Sequence, residues 1–172
     1  MSTSLQLVSS VERPPLALNF ERSQDYKLIR QIITHPAIWP HVSDDYTPKP
    51  EEWKPAENDS VWYVLVRDGS ELLGLWTFIP ETAICWKVHT CLLPCAWGYR
   101  SRIAARQMAE WIFSNTSCLR IITDVPEYNR HALKFAKDAG MHEFGYNAAS
   151  YMKNGTLHGQ HLLGISKETQ CQ

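Results

Sequence analysis

No stretch of this 172-residue chain approaches the roughly 20 consecutive apolar side chains that a membrane-crossing helix needs. The N-terminus is polar and Ser-rich, without the apolar core of a secretion signal. Together these absences predict a cytoplasmic protein. An excess of one charge is missing as well: 17 basic residues against 18 acidic ones leave a formal net charge of −1. That balance gives no reason to expect a nucleic-acid partner, since the one basic concentration, Arg100 to Arg106, is modest. Cysteines are few and odd in number. Cys85, Cys91, Cys95, Cys118 and Cys171 stand mostly in apolar text, which predicts reduced thiols and no disulfide framework. Cys91 and Cys95 lack a second Cys/His pair at zinc-finger spacing, and His158 and His161 would face opposite ways on a strand, so no metal site is expected.

What is present reads as one domain. Residues 1–15 form a Ser-rich arm ending in Pro14-Pro15, residues 16–166 the domain, and residues 167–172 a tail. Leu16 to Phe20 alternates like a strand. Ser23 is a candidate N-cap for a helix over Gln24 to Thr34, with Tyr26, Ile29, Ile32 and Ile33 on one face. His35-Pro36 breaks that helix, a short helical turn follows at Ile38 to Val42, and Ser43 to Ser60 is loop. Val61 to Val66 and Glu71 to Ile79 flank an Asp68-Gly69 turn as a hairpin, and the chain turns again into a third strand. Two closing strands, Glu143 to Met152 and Leu157 to Ser166, surround Asn154-Gly155.

The informative stretch lies between. Ile84 to Leu93 reads as a strand ending at Pro94, followed by a turn through Arg102 and an amphipathic helix from Ile103 to Asn115. Ile103, Ala104, Met108, Trp111 and Ile112 form its core stripe. Leu119 to Val125 is another strand, and a second helix closes at Gly140. By the period of two, Cys85, Lys87, His89 and Cys91 share one face of the first strand, and Ile84, Trp86, Val88, Thr90 and Leu92 share a core face. A turn and helix N-terminus beside such a strand is an arrangement able to hold a pyrophosphate.

The segment Asp124-Val-Pro-Glu-Tyr-Asn129-Arg-His-Ala132, continued by Gly140-Met141, resembles the motif of the GNAT-type N-acetyltransferases. These enzymes transfer an acetyl group from acetyl-CoA to an amine. The resemblance covers residues 16 to about 165 and implies an α/β fold: one mixed, mostly antiparallel sheet of six or seven strands flanked by about four helices. The His35-Pro36 to Asp45 text also resembles small GNAT-like proteins of bacteriophages. The family's glycine-rich pyrophosphate loop is poorly kept. Counting from Pro94 its first glycine falls on Gly98, but the next two fall on Arg100 and Arg102.

The resemblance implies acetyl-CoA as co-substrate, held by Leu92, Leu93, Trp97, Gly98, Tyr99, Arg100, Ser101, Arg102, Ile103 and Asn129. Arg100, Arg102 or Arg106 would pair with phosphate in place of the missing glycines, or else belong to a solvated helix face. Trp97 would lie against the co-substrate or anchor the turn. His89 is the candidate general base, the alternative being a hydrogen-bonded sheet histidine, with Glu81 as second candidate. The tyrosine that the family often uses as general acid is replaced by Ala136, and Tyr128 and His131 are nearby in sequence without helix geometry aiming either at the sulfur. Trp39, Trp53, Trp62 and Trp76 are pocket-lining candidates, the last two reading as packing. Three readings stay open: an N-acetyltransferase acting on an amine of a small molecule or protein; a GNAT-shaped binding protein acting on a partner such as a host protein; and a nucleobase- or tRNA-modifying enzyme. Either a monomer or a homodimer is compatible with the sequence.

Overall fold

The computed structural model describes residues 15–168. The N-terminal arm, most of the C-terminal tail and Cys171 lie outside them. Seven strands form one sheet: β1 (Leu18–Ser23), β2 (Trp62–Asp68), β3 (Glu71–Pro80), β4 (Cys85–Leu92), β5 (Arg120–Pro126), β6 (His142–Lys153) and β7 (Thr156–Ser166). Four helices flank it: α1 (Tyr26–Ile33), α2 (Trp39–Val42), α3 (Tyr99–Asn115) and α4 (Arg130–Asp138). The spatial order is β1-β2-β3-β4-β5-β7-β6, so the last strand of the chain lies inside the sheet and β6 at its edge. Every pairing is antiparallel except β4 with β5.

Each sheet face carries its own core, as the period of two demands. Val64, Trp76, Phe78, Trp86, Val88, Leu92 and Ile121 meet the Ala104, Met108 and Ile112 stripe of α3. On the other face Tyr63, Leu65, Leu75 and Cys91 meet Ile29, Ile32, Ile33 and Ile38. Two residues expected on the core face of β4 differ. Ile84 precedes the strand and is half exposed, and Thr90 is only partly buried. Trp76 is fully buried, and Trp62 stacks edge-on to Trp86 under the Arg22 guanidinium, so both are packing residues.

Two helix starts differ from expectation. Asp25, not Ser23, caps α1: its carboxylate accepts from the Leu28 amide at 3.0 Å, while the Ser23 hydroxyl accepts from Asp25 N–H. Helix α3 begins at Tyr99, four residues before the expected Ile103. Gly98 is its N-cap, with φ of 90°, a left-handed conformation that glycine adopts without Cβ strain. Arg100 and Arg102 therefore stand on the first helical turn, not in a loop.

Candidate active site

The parallel β4–β5 pair is short. Its register runs from Cys85–Arg120 to Lys87–Ile122 and stops, although β4 continues to Leu92 and β5 to Pro126. Side chains mark the fork. Lys87 Nζ lies 2.8 Å from an Asp124 carboxylate oxygen and 3.1 Å from Glu81. Thr123 Oγ1 donates to the Val88 carbonyl at 3.1 Å. Beyond Val88 the strands part, and a cleft of about 970 Å³ passes between them.

The opening exposes main-chain groups on one edge of β4. Leu93 N–H donates to the Leu73 carbonyl at 2.8 Å, so the odd positions turn toward β3 and the even ones toward the gap. The Leu93 amide is thus unavailable to a ligand in the gap, contrary to the sequence expectation. Thr90 and Leu92 are the residues whose backbone faces it. The Leu92 carbonyl already accepts the Trp97 indole N–H at 2.9 Å. Trp97 is 55 % exposed and borders the cleft, so its indole both anchors the turn and covers the mouth.

Helix α3 points its N-terminus at this side. No side chain caps it and no acidic residue stands in its first turn, which leaves the positive end of the helix dipole uncompensated there. A Cβ built on Gly98 would meet nothing within 4 Å, so the approach is open. Ser101 is buried and donates to the Gly98 carbonyl at 2.9 Å, and Ile103 is partly buried one residue before the core stripe.

The arginines are engaged elsewhere. Arg100 Nη2 lies 2.9 Å from Asp68 and 2.6 Å from Glu71, and Nη1 donates to the Cys95 carbonyl. Both carboxyls are held below their usual range, Asp68 by the Ala17 amide first and the Arg100 guanidinium next, Glu71 by the guanidinium. Arg106 donates twice to the Asp138 carbonyl and Arg102 lies 3.9 Å from the Asp138 carboxylate, tying α3 to the end of α4. Arg100 thus fastens the turn to the β2–β3 hairpin.

Asn129 caps α4, its side-chain oxygen accepting from the Ala132 amide at 3.1 Å. Its side-chain nitrogen has no partner among the described residues, and the residue lines the cleft together with His131, Ala132 and Ala136. Ala136 is buried, so that position supplies no proton donor.

His89 lies on the opposite face of the sheet, paired in register with Thr77. Its ring reaches solvent, yet cleft walls surround it closely enough that desolvation holds the imidazole below its ordinary value. The Lys87 charge acts in the same direction and Asp124 opposes it. Glu81, the second base candidate, is held by Lys87 at the turn before β4. Thr77 pairs with His89 in register, and the same cleft is lined by Ile79 of β3 and by Ile38, Trp39, Val42, Trp53 and Val61, which belong to the core on the Cys91 face of the sheet. Trp39 and Trp53, which sequence could only nominate, meet edge to face at 6.0 Å. Cys91 is buried, its thiol pushed up to about 12, and Cys95 is exposed with its sulfur toward the Leu72 carbonyl. They serve different environments, and no cluster of metal-ligating side chains occurs among the described residues.

No protein-family model matches the chain, and no curated protein matches it by sequence. Solved structures do match it by shape. The spermidine N-acetyltransferase of Vibrio cholerae, solved with CoA and spermine, superposes with a TM-score of 0.71 at 15% identity. The match covers 87% of this chain and 95% of that one. The same enzyme solved with manganese ions gives 0.65 at 15% identity, over 87% of this chain and 92% of that one. A putative phosphinothricin N-acetyltransferase gives 0.66 at 17%, over 87% and 98% of the two chains. At such identities the likeness speaks for architecture, and on that ground the chain has the GNAT N-acetyltransferase fold.

Proposed function

We propose that the protein is an N-acetyltransferase that moves an acetyl group from acetyl-CoA to an amine. The observation that carries this reading is the fork: a cleft through the sheet with strand backbone on one wall, an uncapped helix N-terminus at one mouth and His89 at the other. The residues present suit the co-substrate. Thr90 and Leu92 offer main chain to the pantetheine amides, the Asn129 side-chain amide lines the same cleft, and the Gly98–Ser101 turn would take the pyrophosphate. This reading replaces Leu93 by Thr90 and assigns Arg100 to the support of the turn.

The acceptor nitrogen attacks the thioester carbonyl carbon directly. A C–N bond forms, the C–S bond breaks and the sulfur leaves with the bonding pair. His89, neutral at pH 7 because its pKa is lowered, takes the proton that the nitrogen sheds. With alanine at position 136 the thiolate leaves as the anion and takes its proton from solvent. The shape relatives include an enzyme named for spermidine, so amines are the acceptor class to screen first.

Calorimetric titration of acetyl-CoA into the protein, followed by detection of released CoA thiol with an amine panel, tests the reading. Micromolar binding and amine-dependent thiol release are expected. Absence of binding overturns it in favour of a GNAT-shaped binding protein, for which a pull-down of protein partners is the next experiment.

A further inference from the structure

The acceptor side of the cleft differs in character from its co-substrate side. The sheet contributes Thr77, Ile79 and His89, and the wall opposite is built from Ile38, Trp39, Val42, Trp53 and Val61. Among the described residues lining the whole cleft, one carboxylate occurs, Asp124, and it is paired at 2.8 Å with Lys87, which Glu81 shares from outside the lining. The nearest acidic loop is also committed. Asp45 accepts from the Asn154 and Gly155 amides, and Asp44 accepts from the Thr47 hydroxyl and the Tyr46 amide. The full positive charge lining the cleft belongs to Lys54. A polycation entering here would surrender hydration without meeting an unpaired carboxylate in the lining.

We infer that the acceptor is a monoamine carried on a flat apolar body, an arylalkylamine in chemical class, with its ring against Trp39 and Trp53 and its nitrogen at His89. This rests on the acetyltransferase reading and narrows it. The two indoles meet at 68°, an edge-to-face pair that leaves ring faces to take a third aromatic group. Desolvation against the apolar wall lowers the pKa of an amine held there. It therefore supplies the neutral nucleophile without a carboxylate to bind the ammonium form.

The test is acetyl transfer from acetyl-CoA to 2-phenylethylamine and to spermidine at equal concentrations, with the wild-type chain, Trp53→Leu and Val42→Glu. Wild type is expected to show kcat/KM at least about tenfold higher for phenylethylamine, within the range that apolar pocket contacts discriminate. Trp53→Leu should lower that value about tenfold with acetyl-CoA affinity unchanged. Val42→Glu, which adds a carboxylate at the partly exposed rim, should shift the preference toward spermidine. That shift is a gain that a merely damaged fold would not give. Preference of the wild type for spermidine, or indifference of both ratios to both substitutions, overturns this inference and leaves the acetyltransferase reading standing. Failure to bind acetyl-CoA removes both.

Discussion

The two halves of β4 have the same neighbour on one side and different neighbours on the other. At Trp86 and Lys87 the strand lies between β3 and β5, and from Val88 to Leu92 it keeps β3 but loses β5. The closed half is sealed by polar side chains, Lys87 with Asp124 and Glu81, and by Thr123 on the Val88 carbonyl. The open half holds its position through β3 alone, where Gly74 lets Leu92 come close. A Cβ there would stand 2.3 Å from the Cys91 carbonyl oxygen and 2.8 Å from Leu92 Cα, and the backbone φ is 135°. Structure and chemistry are thus separated along one strand. The closed half supplies rigidity, and the open half supplies unpaired main chain and His89.

The sharpest test of that division is His89 itself. His89→Ala should lower kcat on the order of 10²-fold, about 2.7 kcal/mol, with Tm unchanged, because the ring belongs to the open half. Unchanged turnover would remove it as the base. Gly74→Ala attacks the support of the open half and should destabilise the protein by about 2 kcal/mol in urea unfolding through backbone strain. Retention of full stability would show that β4 does not need so close an approach.

Lys87→Met breaks the clasp at the fork. It should cost about 1–2 kcal/mol, since both partners are three-quarters buried, and should raise the His89 pKa by removing a nearby positive charge. In the wild type the acid limb of the rate profile should fall below pH 6.5, the ordinary histidine value. In Lys87→Met it should move upward. The sign for stability follows from the same shift. The unfolded chain binds the His89 proton more readily, so stability is full above pH 6.5 and declines as pH falls through that value toward the lower folded pKa. An acid limb unmoved by the substitution would dissociate the clasp from the base. The smallest effect belongs to Trp86→Phe. The Trp86 indole N–H is buried without a partner among the described residues, so its removal offsets most of the lost packing. Unfolding measurements should place this variant within about 1 kcal/mol of wild type.

Elements with local causes were legible in the sequence. The Asp68-Gly69 hairpin, the alternation of β4 and the Asn129 to Gly140 helix each rest on residues a few positions apart, and the fold class followed from them. What escaped depends on distant partners. Arg100 resembled a phosphate ligand until Asp68 and Glu71, 32 and 29 residues earlier, were seen to hold it. The start of α3 escaped because Gly98 caps it by conformation and no Ser, Thr or Asp marks the position. Naming Leu93 beside Leu92 missed by one residue, which in a strand is the difference between facing β3 and facing the gap. Trp39 and Trp53 stand 14 positions apart in chain text that carries no strand or helix period linking them.

The Trp97 indole on the Leu92 carbonyl has a consequence in time rather than in energy. A ligand amide approaching along the lone pair that the indole occupies would displace it, and that exchange conserves the number of hydrogen bonds, so at equilibrium it costs little. In a stopped-flow trace it would divide association into two phases: a concentration-dependent encounter, and a slower swing of one exposed ring whose rate no longer rises with ligand.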